Sequence, residues 1–318
     1  MILSVTLNPA VDHIVFVDGL KPHDTNRVKV MQTDAGGKGI NLSRIAVELG
    51  AKSLATGLLG GGPGAFVRHV LDREDVPHQF IETGGETRTN MNVESGDGPP
   101  TTFNAKGPMI QPEEWLAFLA LYADLCIGAD WVACGGSLPP GVPTDAFRSL
   151  GQIARANKAK FLLDADGEPM FLGMESGPDL IKPNRKEAER LLGHPLEGED
   201  ALRSACGELN EKQRAAGSPN PITIISLGKE GAVMLAEGEF SVGRSPVVEA
   251  QSTIGSGDSL LGGFLAGLQA GQSYATSLKQ GLASGAATAV TDGTHIGKKE
   301  VILKLLGEAS VERLGAEG

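Results

Sequence analysis

Short apolar runs alternate with helical patterns from one end of this chain to the other, and that alternation narrows the available folds more than any other feature. Residues 2–7, 53–58, 131–134, 160–163, 180–181 and 223–226 are brief and largely apolar. Strands buried on both faces read this way, because neither face alternates with solvent. Between them, Leu42, Ile45, Ala46 and Leu49 recur at helical spacing, and Leu260, Leu261, Phe264, Leu265 and Leu268 do the same. Each set makes one apolar face of a helix. Strands separated by helices pair in parallel, since a parallel pair needs a long crossover. The expected fold is therefore α/β: a three-layer α/β/α sandwich around a mostly parallel central sheet. A chain of 318 residues suffices for one large domain of this kind, and its 44 glycines suit many strand-to-helix turns.

Two segments break the rhythm. Arg27-Val28-Lys29-Val30 and Arg88-Thr89-Asn90-Met91-Asn92-Val93 alternate polar and apolar residues. In a strand, alternate side chains share a face. Arg27 would then lie beside Lys29, and Arg88 beside Asn90 and Asn92. The expectation is a small sheet with one apolar face and one polar, basic face. It would act as a lid built from about residues 10–33 and 86–106 on a single domain spanning 1–318. A charged sheet edge in solvent fits the same pattern. Residues 95–100 read as a hairpin turn, 215–221 as a surface loop, and the tail after Gly315 as frayed.

A net charge of −11 argues against nucleic acid or acidic membrane as a general partner. Any anionic ligand must then be held by local Lys and Arg. Cys126, Cys134 and Cys206 lack metal-site spacing and suit buried packing in a reducing compartment. No signal peptide or membrane-spanning run is evident, so a cytoplasmic protein is expected.

Chemistry concentrates in the glycine-rich turns. Thr253-Ile254-Gly255-Ser256-Gly257-Asp258-Ser259 leads into the apolar helix face. Glycines expose backbone N–H groups, and the helix adds roughly half a positive charge at its start. An acid at that mouth is what phosphoryl transfer to a hydroxyl requires, because the hydroxyl proton needs an acceptor. Ala35-Gly36-Gly37-Lys38-Gly39-Ile40-Asn41 is a second such turn, equally readable as a plain helix start with an incidental Lys. Gly135-Gly136-Ser137-Leu138-Pro139-Pro140-Gly141 follows a buried strand, where α/β sheets place their sites. In Lys182-Pro183-Asn184-Arg185-Lys186-Glu187, Asn184 and Glu187 have capping-box spacing. The same pair would also suit waters around a Mg²⁺–nucleotide.

Other classes fit less well. Neither Gly37-Lys38 nor Gly228-Lys229 completes a Walker A loop: Gly39 follows Lys38, and Gln32 and Thr223 stand where the first glycine belongs. Gly60-Gly61-Gly62-Pro63-Gly64-Ala65 matches a dinucleotide fingerprint, with Glu82 about 20 residues on. Without a matching first βα unit, it reads better as a structural turn. No GxSxG elbow or HExxH spacing occurs.

Together, and in this order, Asn8-Pro9-Ala10-Val11-Asp12, the 35–41 turn, Gly136–Gly141, Lys182–Glu187, Ser226-Leu227-Gly228-Lys229-Glu230-Gly231 and the 253–259 turn resemble the ribokinase-like (phosphofructokinase B) sugar kinases over essentially the whole chain. The branch resembled most holds the 1-phosphofructokinases and tagatose-6-phosphate kinases. The resemblance implies a ribokinase-like fold and ATP- and Mg²⁺-dependent phosphorylation of a ketohexose phosphate, fructose 1-phosphate first. Tagatose 6-phosphate and fructose 6-phosphate are the alternative acceptors. A non-catalytic sugar-phosphate binder is the rival of a different class.

The resemblance also implies roles. Asp258 would be the general base, with Gly255, Ser256 and Gly257 as the anion hole. Asp12, Gly36, Gly37, Asn41 and Asn90 would serve the sugar. Lys38, Arg88 and Ser137, with Arg27 or Lys29, would hold its phosphate, and the last two can act on a partner subunit across a homodimer formed through the lid. Lys182, Asn184, Ser226, Gly228 and Gly231 would serve the nucleotide, with Glu187 reaching Mg²⁺ through water. The chain departs from the pattern at Gly60–Gly64 and at Ser284-Gly285-Ala286-Ala287, where an Asn is often seen near adenine.

Overall fold

The computed structural model describes residues 1–96, 101–291, 293 and 295–314. Most of the hairpin expected at 95–100, and the tail after Gly315, lie outside these residues. The strands are β1 (Ile2–Thr6), β2 (Ala10–Phe16), β3 (Val30–Gly36), β4 (Ser53–Leu59), β5 (His78–Glu82), β6 (Arg88–Glu94), β7 (Thr101–Phe103), β8 (Trp131–Gly135), β9 (Lys160–Asp164), β10 (Leu180–Ile181), β11 (Ile222–Ser226), β12 (Ala232–Ala236), β13 (Glu239–Arg244) and β14 (Ser310–Leu314). The helices are α1 (Lys38–Glu48), α2 (Gly61–Arg73), α3 (Pro112–Cys126), α4 (Ala146–Ala156), α5 (Gly167–Met174), α6 (Arg185–Leu192), α7 (Gly198–Ala215), α8 (Ser256–Gln269), α9 (Tyr274–Ala289) and α10 (Lys299–Leu306).

Among the described residues, ten strands form one sheet in the order β14-β13-β12-β11-β10-β9-β8-β1-β4-β5. From β11 to β5 every pairing is parallel. All six apolar runs read from the sequence fall in this stretch. The strands β12 to β14 extend it antiparallel. Successive residues feed opposite layers, as a pleated strand requires. Leu3 and Val5 pack with Phe118, Tyr122, Phe147 and Leu209 of α3, α4 and α7. Ile2 packs on the other side with Leu42, Leu260, Phe264 and Leu282 of α1, α8 and α9. Cys126, Cys134 and Cys206 are free and buried in the first layer.

A four-stranded sheet, β3-β2-β6-β7, stands beside the C-terminal edge of the large one. Asp12 lies opposite Asp34 on β3 and Asn90 on β6. Its polar face turns inward: Asp12, Asn90 and Asn92 are buried, whereas Met31, Met91 and Phe103 are exposed. One strand expectation needs correction. Arg27 and Lys29 precede β3, which begins at Val30. The segment is irregular, with a single bond from Lys29 N to the Phe16 carbonyl at 2.9 Å extending the pairing. The alternation there comes from a loop with exposed Val28, not from a pleat.

Candidate active site

Parallel strands all end on one edge, so the loops after β1, β8, β9, β10 and β11 converge there. The helix α8 points its N-terminus at the same edge. Its buried Leu260, Leu261, Phe264 and Leu265 hold it against α1 and the sheet. Gly255 turns the chain into the helix with φ +76°, a conformation that favours glycine. The first-turn N–H groups lack intrahelical partners and carry the positive end of the dipole. Asp258 sits in that turn, partly exposed, and accepts a 3.0 Å hydrogen bond from Asn41 Nδ2 in the first turn of α1. Burial pushes its carboxyl up to about 6, opposed by Lys38 and reinforced by Asp164.

Lys38 opens α1. Its Nζ lies 3.1 Å from Asp164 Oδ1 and donates to the Asp164 carbonyl at 3.1 Å. Lys182, after β10, brings its own Nζ to 3.5 Å from the same Oδ1. Asp164 ends β9 and is 3% exposed. Burial alone would raise its pKa, but the two ammonium groups outweigh burial and hold the carboxyl below its usual range. Burial likewise disfavours the charge on Lys38, yet Asp164 and then Asp258 keep its pKa above the ordinary value. A Cβ on Gly257 would lie 3.3 Å from Lys182 Nζ, so that ammonium rests on the helix N-terminus. Sequence reasoning missed Asp164. The available signal was an acid ending an apolar run at the loaded edge of the sheet.

A cavity of about 770 Å³ opens beside Lys38 and is lined by Asn8, Arg88, Lys106, Ser137 and Glu187 among others. Arg88 donates from Nη1 to the Ala105 carbonyl at 2.8 Å and from Nη2 to the Asn8 carbonyl at 3.0 Å. Asn8 Nδ2 donates to Ser137 Oγ at 3.1 Å. Asn90 Nδ2 donates to Asp12 Oδ1 at 2.8 Å. Burial raises the Asp12 pKa against that hydrogen bond and the charge of Arg88. A Cβ on Gly36 would sit 2.1 Å from Asp12 Oδ2, so a side chain there would displace the Asp12 carboxylate. Gly37 caps α1 with φ +134°.

A second cavity, of about 360 Å³, opens at the α8 N-terminus. Ser226, Gly228, Gly231, Val247, Ser256, Gly257, Gly285 and Ala286 are among its lining residues. Asn184 stands at its margin, bridged to Ser226 as an extension of the sheet. The capping box is formed: Asn184 Oδ1 accepts from Glu187 N at 2.9 Å, and Glu187 Oε2 accepts from Asn184 N at 2.8 Å.

No group of three or more His, Cys, Asp or Glu able to hold a metal occurs among the described residues. Mg²⁺ on a nucleotide needs no such cage, since it keeps waters and phosphate oxygens and takes one or two carboxylates. Glu187 lines the larger cavity with one oxygen committed to the cap, which fits contact through water. Asp258, Lys38, Lys182 and Asn41 are thus drawn together. Of the expected sugar-side residues, Lys38, Arg88 and Ser137 line the larger cavity, whereas Asp12, Gly36, Gly37, Asn41 and Asn90 do not; of the nucleotide-side residues, Ser226, Gly228 and Gly231 line the smaller one. Arg27 and Lys29 line neither cavity, and Lys29 is ion-paired with Asp18. The turn at Gly60 is closed by packing: a Cβ there would lie 2.2 Å from the Gly85 carbonyl.

Residues 5–300 match the profile of the pfkB family carbohydrate kinase. A 1-phosphofructokinase of Bacillus subtilis (strain 168) is 32% identical over 315 residues, covering 99% of this chain and 100% of the relative. A 1-phosphofructokinase of Escherichia coli (strain K12) is 31% identical, covering 93% and 92%. Among solved structures, phosphofructokinase-2 of Escherichia coli in complex with potassium superposes with TM-score 0.87 at 27% identity, covering 96% of this chain and 98% of that one.

Proposed function

This chain belongs to the pfkB family of carbohydrate kinases, and from that premise we propose that it converts fructose 1-phosphate to fructose 1,6-bisphosphate with ATP and Mg²⁺. It is a phosphotransferase acting on a sugar hydroxyl. The observation that carries the reading is the position of Asp258. A carboxylate with pKa about 6 stands at a helix N-terminus, where Ser256 and Gly257 of the same turn line the smaller cavity and Lys38, whose charge acts on that carboxylate, lines the larger.

The larger cavity receives the phosphosugar. Asp12, held by Asn90, and Asn41 bind its hydroxyls, with Gly36 and Gly37 allowing close approach. Arg88 and Ser137 face its phosphate. The smaller cavity takes the nucleotide against Ser226, Gly228 and Gly231. ATP is the phosphoryl donor; Glu187 would hold Mg²⁺ through water, and the ion would supply counter-charge. Asp258 takes the proton from the acceptor hydroxyl as the hydroxyl oxygen bonds to phosphorus and the bond to ADP breaks. N–H groups of Gly255, Ser256 and Gly257, with Lys38 and Lys182, face the charge gathering on the transferred group. Asp164 keeps both lysines in place. The small sheet acts as a lid, and its exposed Met31, Met91 and Phe103 pack on a second copy of the chain. In that homodimer Arg27 or Lys29 reaches the partner's site. The cytoplasm, where ATP and sugar phosphates meet, is the setting for the reaction.

Coupled ADP release across fructose 1-phosphate, tagatose 6-phosphate and fructose 6-phosphate tests the acceptor. The highest kcat/KM is expected with fructose 1-phosphate. A higher value with either of the others reassigns the substrate, and no turnover with any would leave a sugar-phosphate binder.

A further inference from the structure

A sugar phosphate carries a charge of about −1.5 to −2 at neutral pH. The cations expected to meet it are largely committed elsewhere. Lys38 and Lys182 face Asp164 and Asp258, which balances two charges with two. Lys29 pairs with Asp18, and Arg27 lines no part of the larger cavity. Arg88 remains, with both amino groups on backbone carbonyls and a buried Nε that has no partner. One guanidinium leaves a phosphate dianion half balanced in a chain of net charge −11.

We propose that Lys106 supplies the second cation for the non-reacting phosphate, and so sets the preference for phosphorylated over unphosphorylated ketohexoses. The inference rests on reading the larger cavity as the phosphosugar site. Lys106 lines that cavity with Arg88, Asn8 and Ser137. The turn that carries it is fastened to the cavity floor by three side chains. Asn8 Nδ2 donates to the Lys106 carbonyl at 3.0 Å, Arg88 Nη1 to the Ala105 carbonyl at 2.8 Å, and Ala105 N to Asn90 Oδ1 at 3.2 Å. Gly107 follows at φ +95°, and a Cβ there would lie 2.3 Å from Asn8 Oδ1. Asn8 therefore joins the Lys106 turn to Ser137 through one amide nitrogen. Lys106 enters none of the ion pairs found among the described residues. An uncommitted ammonium on a fixed turn gives up little on meeting an anion. Anchoring the first phosphate also decides which hydroxyl comes to Asp258.

The test compares Lys106→Ala and Lys106→Arg with Lys304→Ala, an exposed lysine on α10 that matches the charge change. Loss of a charge-assisted bond predicts a KM for fructose 1-phosphate about 10-fold higher in Lys106→Ala, with kcat and the KM for ATP within about twofold of the parent. Lys106→Arg is expected to recover most of that loss, and Lys304→Ala to show none. An unchanged KM, or an equal rise for ATP, overturns the assignment. Calorimetric titration with inorganic phosphate reads the same site without turnover. Weaker binding by Lys106→Ala than by Lys304→Ala supports the proposal, and equal binding refutes it, even if the parent enzyme phosphorylates none of the three sugar phosphates and the substrate reading fails.

Discussion

At Asp258, burial and charge act on one proton in opposite directions. Burial raises the pKa and Lys38 lowers it, leaving a value of about 6. A general base works only when ionised, so kcat/KM is expected to rise with pH through about 6 and level off above it. Stability runs the other way. The folded carboxyl holds its proton more tightly than the unfolded one, so this group's contribution falls as pH rises between its ordinary 3.8 and about 6. Asp258→Asn removes the charge and keeps the shape. It is expected to lower kcat by at least ~10²–10⁴-fold without lowering Tm at pH 7.5. Turnover near that of the parent would remove the base assignment. Asp258, Lys38 and Asn41 were legible because a glycine turn opening a helix is a local pattern. Asp164 was not, because its partners come from other elements, Lys38 from the start of α1 and Lys182 from the loop after the neighbouring strand β10, and meet it only in the fold.

The helix α1 does more than its apolar stripe announces. Arg44 falls between the apolar positions Leu42 and Ile45 and is 2% exposed. Its Nη1 lies 3.1 Å from Asp34 Oδ2 on β3, and its Nε lies 2.6 Å from Glu74 Oε2 beyond α2. Three elements are thus fastened by one guanidinium, and Asp34 stands in register with Asp12. Removing one member of a buried ion pair strands the other in a medium that solvates it poorly. Arg44→Ala is therefore expected to cost about 3–5 kcal/mol, read from urea unfolding midpoints. A cost of about 1 kcal/mol or less would mean that water reaches the carboxylates. The parallel strands were legible from their continuous apolar runs. The antiparallel extension β12 to β14 was not, since pairing direction depends on which edge a segment meets.

Across the whole molecule, the small sheet decides how the site is enclosed. Asp12, Asn90 and Asn92 on its polar face are buried, while Met31, Met91 and Phe103 on its other face are exposed beside the buried Val15 and Val93. Exposed apolar side chains grouped on one sheet face, here Met31, Met91 and Phe103, underlie the proposed homodimer. Met91→Glu is expected to shift sedimentation from dimer toward monomer. If Arg27 or Lys29 serves the partner's site, the same variant also raises KM for the phosphosugar. A parent that sediments as a monomer at micromolar concentration would rule out this interface. The described residues contain no helix long and apolar enough to cross a membrane.

From the sequence alone came the layer order, the mostly parallel sheet, and the two glycine turns that aim helix N-termini at one edge. Each depends on periodicity or backbone freedom over a few neighbouring residues. Tertiary structure alone decided that Lys38 and Lys182 share Asp164, that Arg44 is buried, that Arg27 and Lys29 stand away from the cavity, and that Lys106 lines it. A charge takes its role from what faces it through a low-dielectric interior, and those partners are set by the fold rather than by neighbours in the chain.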